Sequence, residues 1–141
     1  MKPRISVLTL AVKDLEKSVA FYRDGLGWKT DGIVGHEFEN GAVAFFNLSN
    51  GLMLALWPQT SMEQDAGLPA GGPSIPPSFS LGHNVNSKGE VDSVLAKAMA
   101  AGAKVISPAK DKSWGGYTAY FADPDGHLWE VVWNPDLQVE D

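Results

Sequence analysis

The sequence repeats itself. The stretch Gly41-Ala42-Val43-Ala44-Phe45-Phe46 returns 75 residues later as Gly116-Tyr117-Thr118-Ala119-Tyr120-Phe121. The same offset carries Gly51 onto Gly126 and Ala55 onto Glu130, with identities at Gly41/Gly116, Ala44/Ala119, Phe46/Phe121 and Gly51/Gly126. An offset of 73 carries Leu8 onto Leu81 and Val12 onto Val85. A repeat this long in 141 residues predicts a single domain, 1–141, made of two similar modules of about 60 residues each.

Each module reads βαβββ, so the fold class is α+β. In the first, about 4–57, Ile5, Val7, Thr9 and Ala11 alternate with Leu8, Leu10 and Val12, as in a strand covered on both faces. Asp14 can cap a helix whose stripe is Leu15, Val19 and Tyr22, and Gly25 and Gly27 stop it. Strands follow at roughly 28–35, 42–48 and 52–57, with Ser49-Asn50-Gly51 turning the last hairpin. The second module, about 78–134, predicts a strand near 79–85 and a capping box, Ser87-Lys88-Gly89-Glu90. Val91, Val94, Leu95 and Ala98 then make a helix stripe that Gly102 ends. Strands near 103–107, 116–122 and 127–133 complete it, the last two joined by Asp123-Pro124-Asp125-Gly126. Between the modules, 58–77 reads as a structureless linker or lid, because seven of the twelve residues from Ala66 to Pro77 are Gly or Pro.

Composition narrows the partners. With 44% hydrophobic and 20% charged residues the chain is globular, and its 11 Lys+Arg against 17 Asp+Glu give a net charge of −6. That balance disfavours nucleic acid and anionic membrane surfaces. The sequence has no cysteine, which excludes disulfides, thiolate metal sites and cysteine nucleophiles. No apolar run approaches the roughly 18 residues of a membrane span. Met1-Lys2-Pro3-Arg4 does not open a signal peptide, so the expected location is cytoplasmic.

Two segments resemble a known family. Val12-Lys13-Asp14-Leu15-Glu16-Lys17-Ser18-Val19-Ala20-Phe21-Tyr22 resembles the first strand-to-helix signature of the vicinal oxygen chelate superfamily, which includes glyoxalase I, bleomycin-resistance proteins and extradiol dioxygenases. Gly115-Gly116-Tyr117, followed by Phe121-Ala122-Asp123-Pro124-Asp125-Gly126-His127-Leu128-Trp129-Glu130, resembles its last hairpin. The resemblance implies paired modules curved around a cleft, often with a metal, and chains associating as homodimers. It also implies four ligand positions, which fall here on Val7, Ala55, Ser80 and Glu130. Val7 and Ala55 cannot coordinate by side chain and Ser80 is a weak ligand, whereas a divalent metal normally takes three or more protein donors. No cofactor is therefore expected, a divalent metal is disfavoured, and Glu130 is the one ligand if a metal does bind.

The histidines do not rescue such a site. His127 lies three residues from Glu130 on a strand, so the two point to opposite faces. His83 shares a face with Leu81 and Val85 and reads as a core or half-buried residue, and His36 reads as a solvated edge beside Glu37 and Glu39. Glu130 is the candidate catalytic residue, since a carboxylate on an apolar wall is costly to ionise, which is how an acid/base group is made. Trp129 and Trp133 fall opposite it, toward the helices. The predicted ligand-binding wall is Val7, Thr9, Phe46, Met53, Ala55, Trp57, Ser80, Trp114, Tyr117 and Phe121, suited to a flat apolar or aromatic molecule. The expected function is binding, or acting on, such a small organic ligand with a degenerate metal site. The alternatives are a metal-dependent lyase or dioxygenase of the same superfamily and a non-catalytic dimeric interaction module.

Overall fold

The computed structural model describes residues 1, 3, 5–71 and 80–139, with the backbone alone at Asn50. The chain divides into two compact units, residues 1–74 and 75–141.

In the first unit β1 (Val7–Val12) leads to α1 (Leu15–Ala20), then β2 (Ile33–Val34), β3 (Val43–Asn47), β4 (Met53–Pro58) and α2 (Gln59–Ala66). The strand order is β1-β4-β3-β2, with β1 parallel to β4 and the other pairs antiparallel. Asp14 caps α1 by accepting the Lys17 N–H at 3.0 Å. One π-helical turn, Phe21–Gly25, continues α1 and swings Tyr22 and Trp28 over the sheet. There Tyr22 meets Phe46 with ring centroids 5.9 Å apart. Leu10, Val12, Val19, Ala44, Leu54 and Leu56 complete this core. Burying each large side chain contributes about 1.5–3 kcal/mol.

Two expectations fail in this unit. The strand predicted at 28–35 shrinks to Ile33–Val34, because Gly27, Gly32 and Gly35 all take positive φ and break the ladder. The Thr30 hydroxyl donates to the Phe45 carbonyl at 2.6 Å and so covers part of the edge that the missing strand would have paired. The stretch 58–77 is also not structureless: Gln59–Ala66 is helix, closed by Gly67 in the left-handed region at φ 68°. The Gly and Pro residues that suggested a loop begin only at Gly67. The Glu63 side chain is buried and ties the following turn back, accepting from Gln59 Nε2 at 2.7 Å and from the Gly71 N–H at 3.2 Å. Residues 72–77 of the predicted lid lie outside the described residues.

The second unit repeats the plan. It comprises β5 (Leu81–Val85), α3 (Lys88–Ala100), β6 (Lys104–Asp111), β7 (Tyr117–Ala122) and β8 (Leu128–Trp133), in the sheet order β5-β8-β7-β6. The capping box forms: Ser87 Oγ accepts the Glu90 N–H at 3.2 Å and Glu90 accepts the Asn86 N–H at 3.1 Å. Strand β6 lies at the edge and is bulged around Pro108, where a residue without an N–H does least harm. Val91, Ala98, Ala119, Phe121, Trp129 and Val131 form the core, and Phe121 and Trp129 stack with centroids 6.0 Å apart and planes 6° apart.

The 75-residue offset survives in the strand register. Phe45 pairs with Ala55 as Tyr120 pairs with Glu130, and Phe46 pairs with Leu54 as Phe121 pairs with Trp129. Ala55 and Glu130 are therefore equivalent residues of equivalent strands, as the repeat predicts.

Candidate functional site

Each sheet has one face under its helix and one face free of it, and pleating decides which residues go where. In the first unit the helix-free face carries Val7, Thr9 and Ala11 of β1, Met53, Ala55 and Trp57 of β4, and Val43, Phe45 and Asn47 of β3. Val7, Thr9, Met53, Ala55 and Trp57 thus share one face, as the alternation predicts. Val7 and Thr9 are exposed, Met53 and Trp57 half-buried, and Ala55 buried. The Trp57 indole N–H donates to the Asn40 carbonyl at 2.7 Å, which fixes the ring and fastens the loop before β3.

Phe46 is not on this face. It is fully buried against Tyr22 and Trp28 on the helix side, and its neighbour Phe45, 41% exposed, takes the position foreseen for it. Phe45 and Asn47 open onto a surface groove of about 670 Å³ that Trp28, Thr30 and Lys29 also line. Counting back through the Ser49–Gly51 turn from Ala55 would have identified Phe45, since hairpin partners share a face.

The same correction applies twice in the second unit. Tyr117 and Phe121 pair with Trp133 and Trp129, so all four lie on the helix side. The Tyr117 hydroxyl donates to Asp92 of α3 at 2.9 Å, and Phe121 is buried in the stack on Trp129. The repeat identities Phe46/Phe121 and Ala44/Ala119 mark shared core positions, not shared ligand contacts. Trp129 and Trp133 face the helix as predicted, and Lys88 Nζ lies 5.6 Å from the Trp133 ring centroid. His83 falls on the helix-side register but is exposed instead of half-buried.

Trp114 sits in the turn joining β6 to β7, 52% exposed, with its ring laid on Gly116 where a Cβ would collide with it. That contact explains the glycine, and it turns the ring toward its own hairpin. Ser80 is exposed and directly precedes β5, and the residue of β5 facing Glu130 is Gly82.

Glu130 stands on the helix-free face, half-buried, between Gly82 and Tyr120. Its partner on β7 is Tyr120, whose hydroxyl donates to Glu130 Oε1 at 2.5 Å. That bond, then burial, then the carboxylate's charge, pushes the Tyr120 phenol up to about 12. The folded chain therefore keeps this proton at pH values where an unfolded tyrosine releases it. The resulting stability is fully present below pH 10 and is lost as pH rises through about 12. Tyr120→Phe should flatten the fall in denaturation midpoint across that window without abolishing it, since Asp92 also raises Tyr117.

The four positions that the resemblance assigns to metal ligands are Val7, Ala55, Ser80 and Glu130. Two carry hydrocarbon, one an exposed hydroxyl, and the fourth, Glu130, already accepts from Tyr120. Among the described residues, the one group of potential ligand atoms within 4.8 Å of one another is Asp123, Asp125 and His127. Its atoms build the β7–β8 turn: Asp123 Oδ1 accepts the Asp125 and His127 N–H groups at 3.0 and 2.8 Å, and Oδ2 lies 2.8 Å from His127 Nδ1. His127 is thus a turn residue, just before β8.

A family model of the Glyoxalase/Bleomycin resistance protein/Dioxygenase superfamily matches residues 4–131. The chain belongs to this superfamily. It is 36% identical to a glyoxalase-related enzyme from Fulvimarina pelagi, with a TM-score of 0.82 over 98% of this chain and 93% of that one. A glyoxalase/bleomycin resistance protein/dioxygenase from Nocardioides is 28% identical, with a TM-score of 0.71 over 99% and 91%. A genomically encoded fosfomycin resistance protein from Listeria monocytogenes, 23% identical with a TM-score of 0.69 over 95% of both chains, shares the fold. Members of the superfamily bind small molecules, often use a metal and often form dimers. No described helix is long and apolar enough to cross a membrane.

Proposed function

We propose that this superfamily member binds, and acts on, a small organic molecule at the helix-free face of the second sheet, with Glu130 as the acidic contact and without a metal. The observation that carries this reading is the Tyr120–Glu130 bond. It holds Oε1 in place, and among the described residues Oε2 accepts no hydrogen bond. A carboxylate oxygen so presented can accept a ligand proton, hold it and return it, which is general acid–base work. Leu128 and Val132 share that face with Glu130 and supply apolar contacts, which suit an aromatic ligand. Kinship to a glyoxalase-related enzyme at 36% identity favours catalysis over storage. The protein acts as a cytoplasmic homodimer, the exposed Ile5 and Val7 adding apolar surface for a second copy.

A thermal-shift panel of aromatic alcohols, ketones and amides, run in EDTA and again with Mn²⁺, Ni²⁺ or Zn²⁺, tests this. Stabilisation by panel compounds in EDTA is expected. Stabilisation that needs the added metal would overturn it.

A further inference from the structure

The short β2 leaves an opening at the edge of the first sheet. It pairs only with Val43 and Ala44, so β3 from Phe45 to Asn47 has no strand on its outer side among the described residues. Residues 28–31 run past that edge instead, between Gly27 and Gly32, both at positive φ. The Thr30 hydroxyl pins them there, donating to the Phe45 carbonyl at 2.6 Å and accepting the Gly32 N–H at 3.1 Å. What results is the surface groove of about 670 Å³, a volume within the roughly 300–1,000 Å³ of small-molecule sites.

One aromatic wall of the groove is fixed before anything binds. The Trp28 ring packs with its centroid 5.5 Å from Tyr22 and 6.2 Å from Phe46, and Phe45 adds an exposed ring. Arg23, also in the lining, is oriented by Asp24, which takes two of its N–H donors at 2.7 and 2.8 Å and leaves the others. Lys29 and Asp31 line the same groove two residues apart, yet no ion pair joins them, and neither side chain has a hydrogen-bond partner among the described residues. The chain carries a net charge of −6, but here two cations line the groove with one carboxylate, Asp31. That local reversal suits a carboxylate on the ligand, and Asp31 calls for a cation on the same molecule.

We propose that this groove binds an aromatic α-amino acid, with its carboxylate on Lys29 and Arg23, its ammonium on Asp31 and its ring against Trp28 and Phe45. The groove lies wholly in the first unit, and Glu130 lies in the second, so the two readings are independent.

Amide NMR titration of the labelled intact chain tests this, with L-tryptophan raised to about 20 mM, enough to fill even a millimolar site. The Trp28 indole N–H signal and the Lys29, Phe45 and Asn47 amides should shift. Tryptamine lacks the carboxylate, N-acetyl-L-tryptophan lacks the ammonium and L-alanine lacks the ring. Each should bind at least about fivefold more weakly, the upper range for one exposed charge contact or one ring contact. Asp31→Asn is nearly isosteric. It should erase the preference for L-tryptophan over N-acetyl-L-tryptophan, and Lys29→Met should reduce the preference over tryptamine. Both side chains are exposed, so the melting temperature should move by no more than about 2 °C in either variant. Absence of shifts at these signals, equal affinity for L-tryptophan and its analogues, or an unchanged preference in Asp31→Asn would each overturn the proposal. Glu130→Gln should leave every one of these affinities as it was, and loss of L-tryptophan binding in that variant would place the ligand in the second unit instead.

Discussion

Phe46→Ala should lower the free energy of unfolding by about 3–5 kcal/mol, and Phe121→Ala by a similar amount. Both rings are almost wholly buried, one against Tyr22 and Trp28, the other in the stack with Trp129. Truncation removes the transfer free energy of each ring and leaves a cavity that a packed sheet–helix layer fills only in part. Phe45→Ala, one residue along β3 and 41% exposed, should cost less than about 1 kcal/mol. Urea denaturation of the three variants checks the contrast. A destabilising Phe45→Ala beside a neutral Phe46→Ala would reverse the assigned faces.

That contrast marks how far the sequence could be read. The offset identities, the Asp14 and Ser87 caps and the glycine turns at Gly51 and Gly126 are local signals with local causes, and each became the expected structure. The equivalence of Ala55 and Glu130 follows from the same offset, because repeated register carries repeated position. The side chains of the helix-free faces were harder to read. Period-two alternation gives two faces for each strand but does not say which one the helix covers, and an aromatic residue suits either. Phe46, Tyr117 and Phe121 were drawn to the wrong face by their aromaticity, although the placement of Trp129 and Trp133 under the helix implied their own. Helix α2 lacked an apolar stripe and is held instead by the buried Glu63 and its polar bonds, which hydropathy patterning does not register.

Glu130→Gln should weaken binding of any panel compound that donates to Oε2 by about 10- to 100-fold, the usual worth of a hydrogen bond to a charged group. The amide is nearly isosteric. Its oxygen can still accept from Tyr120, but an N–H₂ donor replaces the acceptor at Oε2. Unfolding free energy should therefore change by no more than about 1 kcal/mol. If turnover of a bound compound is found, its rate should fall by about 10²–10⁴-fold in the same variant, the range for removal of a general acid–base group. Equal losses of affinity and folding stability would assign Glu130 a purely structural role.

The most direct measurement is a crystal structure of the protein soaked, in EDTA, with the tightest-binding panel compound. The compound is expected on the helix-free face of the second sheet, its donor within hydrogen-bond distance of Glu130 Oε2 while Tyr120 keeps Oε1. A compound seated on the helix side of either sheet, or joined to Glu130 through a retained metal ion, would contradict it.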